Sequence, residues 1–302
     1  MEQLELFPGS GISEQERLYI IGNGFDIHHG IKSKYWDFQE WVKKNKNASA
    51  LVSLMDIFFS NDREFWGDIE NALGEYDEAA ITSYCEPDNP EDFKYDHPGQ
   101  WQDGVEGGIP WIFGQAMDAF RDAFDKWVQS IDINHVVADL YIPQASKYLT
   151  FNYIETLERA YYVPAQNVLH IHGCRLNPND EFILGHGNLR DEDGPLLDES
   201  IDLPYQNAYS EVIKIMNGWK KSPKQLIEKN SGFFDSLKTC KGVCVMGLSY
   251  SVIDLPYLDE VASKVAPNCN WLLYYFSEED KNRAEAFAKD RGLVNFQLLK
   301  FV

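Results

Sequence analysis

Two short segments of the sequence place glycine and polar residues directly after an apolar run. The segment GNGFD at residues 22–26 follows the run RLYII, and GLS at residues 247–249 follows GVCVM. Such runs are typical of buried strands, and glycine lets the backbone turn sharply and approach a ligand closely. Phosphates bind at turns of this kind in open parallel sheets. A purely structural turn from strand to helix has the same composition, so both interpretations stay open.

Histidine and asparagine residues follow other apolar runs. The segment LHIHG places His170 and His172 on one face of a predicted strand, because they are two residues apart. Asn152 comes at the end of another predicted strand, and His186 lies within LGHGN. Together with GNGFD and GLS, these clusters of small and polar residues after apolar runs suggest one shared rim of the sheet. Asn152 can alternatively tie the next loop to its strand.

A metal site is a further interpretation of the histidines. Suitable donor atoms belong to His170 and His172, combined with His186, His28 or Asp26. The sequence has no HExxH motif or comparable spacing, and His28 and His29 can simply satisfy local backbone groups. The one close pair among the five cysteines has no second pair to complete a zinc site. We therefore expect no metal, and we expect the cysteines to be buried reduced thiols.

The elements that must position these residues alternate along the chain. Apolar runs that predict strands lie at residues 17–21, 148–151, 168–171, 182–184, 242–246, 271–276 and 296–301. Helical periodicity lies between them, and Ser277 with Asp280 predicts a capped helix start. Several runs are apolar throughout, as in a sheet that is covered on both faces. The sequence therefore predicts an α/β, Rossmann-like fold with a mostly parallel central sheet and helices on both faces.

The predicted domain organisation is a single α/β domain at residues 17–302, preceded by an N-terminal extension at residues 1–16. A large helical insertion is expected at about residues 33–145. Within it, a stripe of aromatic and methionine residues from Phe113 to Ile131 predicts a helix that packs in the core. The acidic loops at residues 85–110 and 177–204 are interpreted as lids, binding loops or surface decoration. Formation of a homo-oligomer through these loops stays open.

Composition and charge restrict the class of protein. The chain has 302 residues, of which 44% are apolar and 14% are aromatic, and this favours a folded protein over a disordered one. Its net charge of −21 repels a phosphate backbone, so duplex nucleic acid is disfavoured as a partner. The sequence contains neither a run of roughly 18 apolar residues nor the features of a signal peptide. We therefore expect a cytoplasmic protein that does not enter a membrane.

Six segments whose residues could take part in binding or catalysis follow one another along the chain. They are LYIIGNGFD at 18–26, FWGDIE at 65–70, FNY at 151–153, HIHG at 170–173, GHG at 185–187, and GLS at 247–249 with Asp254 and Tyr257. In this order they resemble the bacterial abortive-infection AbiH family, over residues 17–260. The resemblance implies a phage-defence protein whose activation harms the infected host cell. The phage-derived trigger is not specified by the sequence.

The same arrangement more distantly resembles the sirtuin-like NAD-binding fold, in which such segments line a dinucleotide pocket. This resemblance implies NAD as the bound substrate, with contacts to phosphate and ribose from Gly22, Asn23, Gly24 and Asp26, to the nicotinamide ribose from Asn152, and to the adenosine side from Gly247 and Ser249. It also implies that His172 is the catalytic base. Ile154 stands where the sirtuin pattern has Asp, and the zinc-binding cysteine quartet is absent, which argues against lysine deacylation.

The chemistry expected from these residues is the cleavage of nicotinamide from NAD. This reaction passes through a sugar cation, and it needs a base for water and a negative group near the cation. His172 is the predicted base, and Asn152 is predicted to orient water or the ribose. Glu70 or Asp26 is predicted to face the cation, although Glu70 can also be a solvated helix residue. His186 and Asp254 complete the predicted ligand-binding set.

Two other functions stay open. One is a metal-dependent hydrolase that acts on nucleotides or nucleic acid through the histidines. The other is a non-catalytic module that senses a nucleotide and works through a partner. NAD hydrolysis and nucleotide sensing share a small nucleotide as the ligand, so turnover of that ligand distinguishes these two hypotheses.

Overall fold

The computed structural model describes residues 11–45, 48–59, 65–86, 94–188, 190–191 and 200–301. The chain divides into two compact units. The first unit takes its described residues from Met1–Lys34, Val128–Ile183 and Ser222–Val302. The second takes them from Tyr35–Trp127 and Leu184–Lys221. All strands named below belong to the first unit.

The described residues of the first unit contain a six-stranded, fully parallel sheet. Its strands are β1 (Arg17–Ile21), β2 (Lys147–Thr150), β3 (Val168–His170), β4 (Gly242–Met246), β5 (Asn270–Tyr275) and β6 (Asn295–Lys300). They lie in the order β3-β2-β1-β4-β5-β6, which is the strand order of a Rossmann fold. The predicted α/β, Rossmann-like fold is therefore confirmed. The strand order reverses between β1 and β4, and ligands of such sheets bind where the carboxyl ends of these two strands meet.

Helices cover both faces of this sheet, as the uninterrupted apolar runs predicted. In the first unit they are α1 (Asn23–His28), α8 (Thr156–Ala160), α10 (Pro223–Lys229), α11 (Ser231–Asp235), α12 (Leu255–Lys264) and α13 (Glu278–Asp290), with 3-10 turns at Glu14–Glu16, Ala165–Asn167 and Ser236–Thr239. Leu18 and Ile20 of β1 lie in one buried cluster with residues of α12 and α13. Tyr19 and Ile21 lie in a second cluster, with residues of α1 and α8. Alternate side chains of β1 enter different cores on the two faces of the sheet. Every residue of β1 is buried as a result.

One predicted strand is wrong. Residues 182–184 contain three apolar residues but form no strand. The segment makes a single ladder-like contact, in which the Ile183 N–H donates to the His172 carbonyl at 2.9 Å. The Phe182 ring packs against Tyr153, with ring centroids 5.4 Å apart. An apolar run of three residues is too short to distinguish a strand from a loop, and here Phe182 and Ile183 are only half-buried in a loop.

The described second unit is built from helices around an aromatic core. Its helices are α2 (Tyr35–Lys44), α3 (Ser49–Phe58), α4 (Ile69–Ala72), α5 (Glu78–Cys85), α6 (Pro98–Asp103), most of α7 (Ile109–Ser130) and α9 (Leu203–Asn217), with a π-helical turn at Gly104–Gly108. Phe113, Met117 and Phe120 of α7 are buried, which confirms that the predicted stripe faces a core. Among the described residues, none of the helices has both the length and the hydropathy of a membrane span.

Candidate functional site

The turns after β1 and β4 pack directly against each other. Gly22 and Gly24 donate their N–H groups to the carbonyl oxygens of Met246 and Gly247, at 2.9 and 2.8 Å. A Cβ atom on Gly22 would lie 2.5 Å from the Gly247 oxygen, and one on Gly24 would lie 2.7 Å from the Gly247 Cα. Gly247 has a φ of +68°, which favours glycine. The structure thus brings the three predicted glycines together, and they let two backbone turns approach each other closely.

Polar groups flank this pair of turns. The N–H groups of Gly22 and Gly24 are already donors within the protein, so a phosphate here would need other partners. Asn23 is exposed and exchanges hydrogen bonds with Ser33 through both atoms of its side-chain amide, at 2.9 and 2.6 Å. Ser249 is also exposed, and Arg283 donates to its carbonyl oxygen at 3.4 Å. Arg283 also forms an ion pair with Glu279, so its positive charge beside the turn after β4 is already partly balanced.

Asp26 of α1 is a fully buried carboxyl group at this edge of the sheet. Neither of its oxygens accepts a hydrogen bond of ordinary geometry from a described residue. Burial raises its pKa to about 7, although the side chains of Thr156 and Asn152 and the charge of His170 favour the ionised form. Buried polar atoms without partners are rare in folded proteins. Asp26 is therefore a candidate ligand-binding or catalytic group.

Asn152 lies directly beside this carboxyl group, after the end of β2. Its Nδ2 donates to the Gly22 carbonyl at 3.3 Å, which ties the end of β2 to the turn after β1. Its Oδ1 is buried and has no hydrogen-bond partner among the described residues, and the same holds for the Thr156 hydroxyl. The structure thus brings together the predicted residues Asp26 and Asn152. Asn152 therefore ties a loop, as one interpretation predicted, and its role toward a ligand stays a prediction.

His170, at the end of β3, is held as a charged group. Its Nδ1 donates to the Asn152 carbonyl at 2.8 Å, and its Nε2 contacts Glu158 at 2.9 Å. Burial alone would lower the pKa of His170, but the hydrogen bonds to Cys174 and Glu158 outweigh it and raise the pKa to about 10. Because both ring nitrogens face acceptors, this imidazolium has no lone pair to offer a metal.

The His170 ion pair predicts a pH-dependent stability. Its pKa is about 10 in the folded protein and about 6.5 in the unfolded chain. A group with a raised pKa stabilises the fold fully below the lower value and loses this effect as pH rises through the higher one. We expect the stability difference between the wild type and His170→Gln to shrink over this interval, by at most about 1.4 kcal/mol per pH unit. Urea unfolding from pH 6 to pH 10 measures this, and parallel profiles for the two proteins would contradict it.

His172 lies just beyond β3, in an aromatic environment. It is almost fully buried, and its Nε2 lies 3.3 Å from the Tyr257 hydroxyl. The rings of Phe151 and Tyr257 contact it edge-on, at centroid distances of 5.3 and 5.7 Å. Asp254 precedes α12 and accepts a hydrogen bond from Ser251 at 3.1 Å, so it orders the loop that leads to Tyr257. These contacts place His172 and Asn152 at the carboxyl ends of adjacent strands and fix the orientation of the imidazole.

His28 and His29 lie together with Asp139. His28 Nε2 lies 3.2 Å from one carboxylate oxygen of Asp139, and His29 Nε2 lies 3.2 Å from the other. His29 Nδ1 donates to the Phe25 carbonyl at 2.7 Å, and its Nε2 lies 2.5 Å from the Tyr161 hydroxyl. Burial lowers the pKa of His29, so its ring tends to be neutral. One predicted role of these histidines was to satisfy local backbone groups, and His29 Nδ1 does so at the Phe25 carbonyl. The Nε2 atoms of both histidines instead face Asp139, which is distant in the chain.

The sequence analysis missed a buried ion pair near Asp26. Arg175 makes two contacts with the carboxylate of Glu155, at 2.7 and 3.2 Å. It also donates to the carbonyls of Val128 and Ile131. Burial raises the pKa of Glu155, but the hydrogen bond from Arg175 outweighs it, and the net shift is downward. No local pattern could predict this pair, because its partners come from different loops.

The arrangement is thus a Rossmann sheet with polar groups at the carboxyl ends of β1, β2 and β3, and a glycine contact at the switch point. A family model described as bacteriophage abortive infection AbiH matches residues 18–275. The chain belongs to the AbiH family. Neither a curated protein nor a solved structure shows a significant match to it. Membership confirms the resemblance drawn from the motifs and gives this AbiH-family protein a role in abortive infection of bacteriophage-infected cells.

Two predicted site residues of the AbiH-family protein belong to the second unit. His186 is buried, donates from Nε2 to the Met216 carbonyl at 2.7 Å, and has its pKa lowered chiefly by burial. Glu70 of α4 forms an ion pair with Lys221 at 2.6 Å and accepts a hydrogen bond from Tyr35 at 3.1 Å. The alternative of a solvated helix residue does not describe Glu70, whose side chain is 16% exposed. A role of either residue in ligand binding or catalysis stays a prediction.

The Glu70–Lys221 pair predicts a large effect on stability. The Lys221 side chain is only 1% exposed, so its ammonium depends on nearby acceptors. We expect Glu70→Gln to lower the free energy of unfolding by about 3 kcal/mol, since a buried charge loses its counter-ion. Chemical denaturation measures this, with the exposed Glu75→Gln as the matched control. A change no larger than in that control would contradict the structural role of Glu70.

Proposed function

We propose that this AbiH-family protein binds NAD, or a closely related nucleotide, at the carboxyl edge of its sheet and hydrolyses it to arrest the infected cell. The observation that carries the proposal is the group of buried oxygens on Asp26, Asn152 and Thr156, none of which has a hydrogen bond of ordinary geometry among the described residues. They lie beside the point where the strand order reverses, which is the ligand-binding position of Rossmann-like sheets. Ribose hydroxyls and a water molecule are the donors that such acceptors require.

The proposed reaction breaks the bond between the ribose and nicotinamide. The electron pair of this bond leaves with nicotinamide, and water adds to the ribose carbon and gives up a proton. His172 is the proposed acceptor of that proton, and its contact with Tyr257 holds the ring in place. Ionised Asp26 supplies negative charge near the sugar cation, and the free Oδ1 of Asn152 orients the water or a ribose hydroxyl.

The diphosphate is proposed to lie over the paired turns after β1 and β4. There the side chain of Ser249 is exposed and the guanidinium of Arg283 lies beside it, paired with Glu279, whereas the N–H groups of Gly22 and Gly24 already donate to the protein. In a chain with a net charge of −21, an anion that approaches this place would contact Arg283 in competition with Glu279. The glycines then shape the turn, and the polar side chains around it contact the ligand.

The test is incubation of the purified protein with NAD, followed by chromatography of the products. The proposal expects nicotinamide and ADP-ribose in equal amounts, with catalytic turnover. Binding of NAD without turnover would overturn hydrolysis and favour the nucleotide-sensing module. Release of AMP, through cleavage of the diphosphate, would overturn the proposed bond and favour a different hydrolase. A protein that neither binds nor cleaves NAD would contradict the nucleotide as well as the reaction.

A further inference from the structure

The three side chains of His28, His29 and Asp139 form a compact group of donor atoms. One ligand atom from each lies within 4.8 Å of the other two. The group comes from the end of α1 and from a loop far downstream in the chain, and it shares no residue with the proposed nucleotide site. From this geometry we infer that His28, His29 and Asp139 bind a divalent metal ion, with zinc as the preferred ion.

The distances between these atoms suit a tetrahedral metal site. Zinc lies roughly 2.0–2.1 Å from imidazole nitrogen and carboxylate oxygen, so two ligand atoms at neighbouring corners are about 3.3 Å apart. The distance from the Nε2 atom of each histidine to a carboxylate oxygen of Asp139 is 3.2 Å. Each histidine faces a different oxygen of Asp139, and the three ligand atoms lie within 4.8 Å of one another, so the side chains must draw closer together to hold one ion. Three protein ligands leave a fourth position for water, as in catalytic zinc sites.

The surroundings of His29 are those of a metal ligand. Its Nδ1 donates to the Phe25 carbonyl, which leaves the lone pair of a neutral ring on Nε2, the atom that faces Asp139. Such a second hydrogen bond is usual for metal-binding histidines, because it fixes the ring and its tautomer. The Tyr161 hydroxyl now contacts this Nε2 and also lies 3.4 Å from Asp139, so its proton can turn to the carboxylate when the metal binds.

His28 provides the second, independent observation. Its Nε2 is a buried ring nitrogen without a hydrogen bond of ordinary geometry among the described residues, although it lies close to Asp139. The side chains of His28 and Asp139 are 21% and 44% exposed, so an ion can reach the group from solvent. Two imidazoles and one carboxylate favour zinc over magnesium or calcium, which prefer six or more oxygen ligands.

The test is zinc binding by the purified, metal-stripped protein, measured by competition with a chromogenic chelator. We expect one zinc per chain in the wild type, and at least tenfold weaker binding in both His28→Gln and Asp139→Asn. These partly exposed positions tolerate substitution, and circular dichroism checks the fold of each variant. His135→Gln is the matched control, since His135 is exposed and lies near Asp139 in the chain. Its affinity should equal that of the wild type.

The same proteins test the choice of ion. Zinc should raise the thermal midpoint of the wild type, and magnesium at the same concentration should not. The inference is overturned if the wild type binds no zinc, or if His28→Gln and Asp139→Asn bind it as tightly as the wild type does. An equal affinity for magnesium would overturn zinc as the preferred ion. None of these measurements depends on NAD, so they stand or fail separately from the proposed hydrolysis.

Discussion

Replacing His172 by glutamine is expected to slow NAD hydrolysis by roughly 10²–10⁴-fold, the usual contribution of a general base. Glutamine keeps a polar group that can contact the Tyr257 hydroxyl, but it cannot accept the proton from water. The loss should appear in kcat, with KM nearly unchanged, because the proposed role of His172 is in the reaction rather than in binding. Nicotinamide release by the purified variant measures the effect.

Two further variants separate this role from a general loss of structure. His135→Gln changes an exposed histidine and should leave kcat as in the wild type. Tyr257→Phe removes the hydroxyl that contacts His172 Nε2 while keeping the aromatic ring, so we expect a smaller loss of kcat than in His172→Gln. If His172→Gln folds normally and retains the wild-type rate, His172 is not the base and the proposed mechanism is wrong.

Replacing Gly247 by alanine is expected to lower the free energy of unfolding by about 3 kcal/mol or more, because two costs combine. An alanine would have to adopt the φ of +68° that glycine adopts here. Its Cβ atom would also lie 2.3 Å from the Phe25 nitrogen and 2.7 Å from the Gly24 carbonyl carbon, which are backbone atoms that cannot rotate away. The turns after β1 and β4 must therefore separate. Urea unfolding of both proteins measures the loss.

Gly292→Ala is the matched control for this prediction. Gly292 has a similar φ of +61°, but nothing lies within 4 Å of the Cβ atom it would gain. We expect a cost of about 1 kcal/mol, from the left-handed backbone alone. The difference between the two variants isolates the close contact between the turns. Equal losses would show that this contact contributes nothing and that only the backbone conformation matters.

The fold was largely predictable because its central strands are buried on both faces. The runs at residues 17–21 and 242–246 give β1 and β4 with the bounds that the structure has. The capping pattern at Ser277 and Asp280 likewise marks the start of α13, where the hydrogen bonds of a capping box are formed. Local signals succeed in these cases since burial, strand propensity and capping are encoded within a few residues.

The candidate site was predictable only as far as its residues follow strands. The pattern located Asp26, Asn152 and His172 at strand ends, and parallel strands bring these ends to one edge. It left open whether Gly22 and Gly24 serve a ligand or a structural turn, and the structure shows that they contact the turn after β4. That contact joins segments far apart in the chain, so no local pattern could indicate it.

The partners of the charged residues could not be predicted from the sequence for the same reason. Hydrogen bonds to Cys174 and Glu158 favour His170 as a buried cation, and Asp139 lies against His28 and His29 although it comes from a distant loop. The sequence analysis grouped His170 with His172 by their spacing, and it added His28 to them by residue type alone. Burial and partner decide whether an imidazole is a base, a cation or a ligand, and both depend on tertiary structure.

The most direct test of the account is the NAD content of bacteria that express the wild type, His172→Ala or Asn152→Ala at equal protein levels. The account predicts that the wild type depletes NAD and releases nicotinamide as growth stops, and that neither variant does so. Growth arrest by the wild type with an unchanged NAD pool would contradict it.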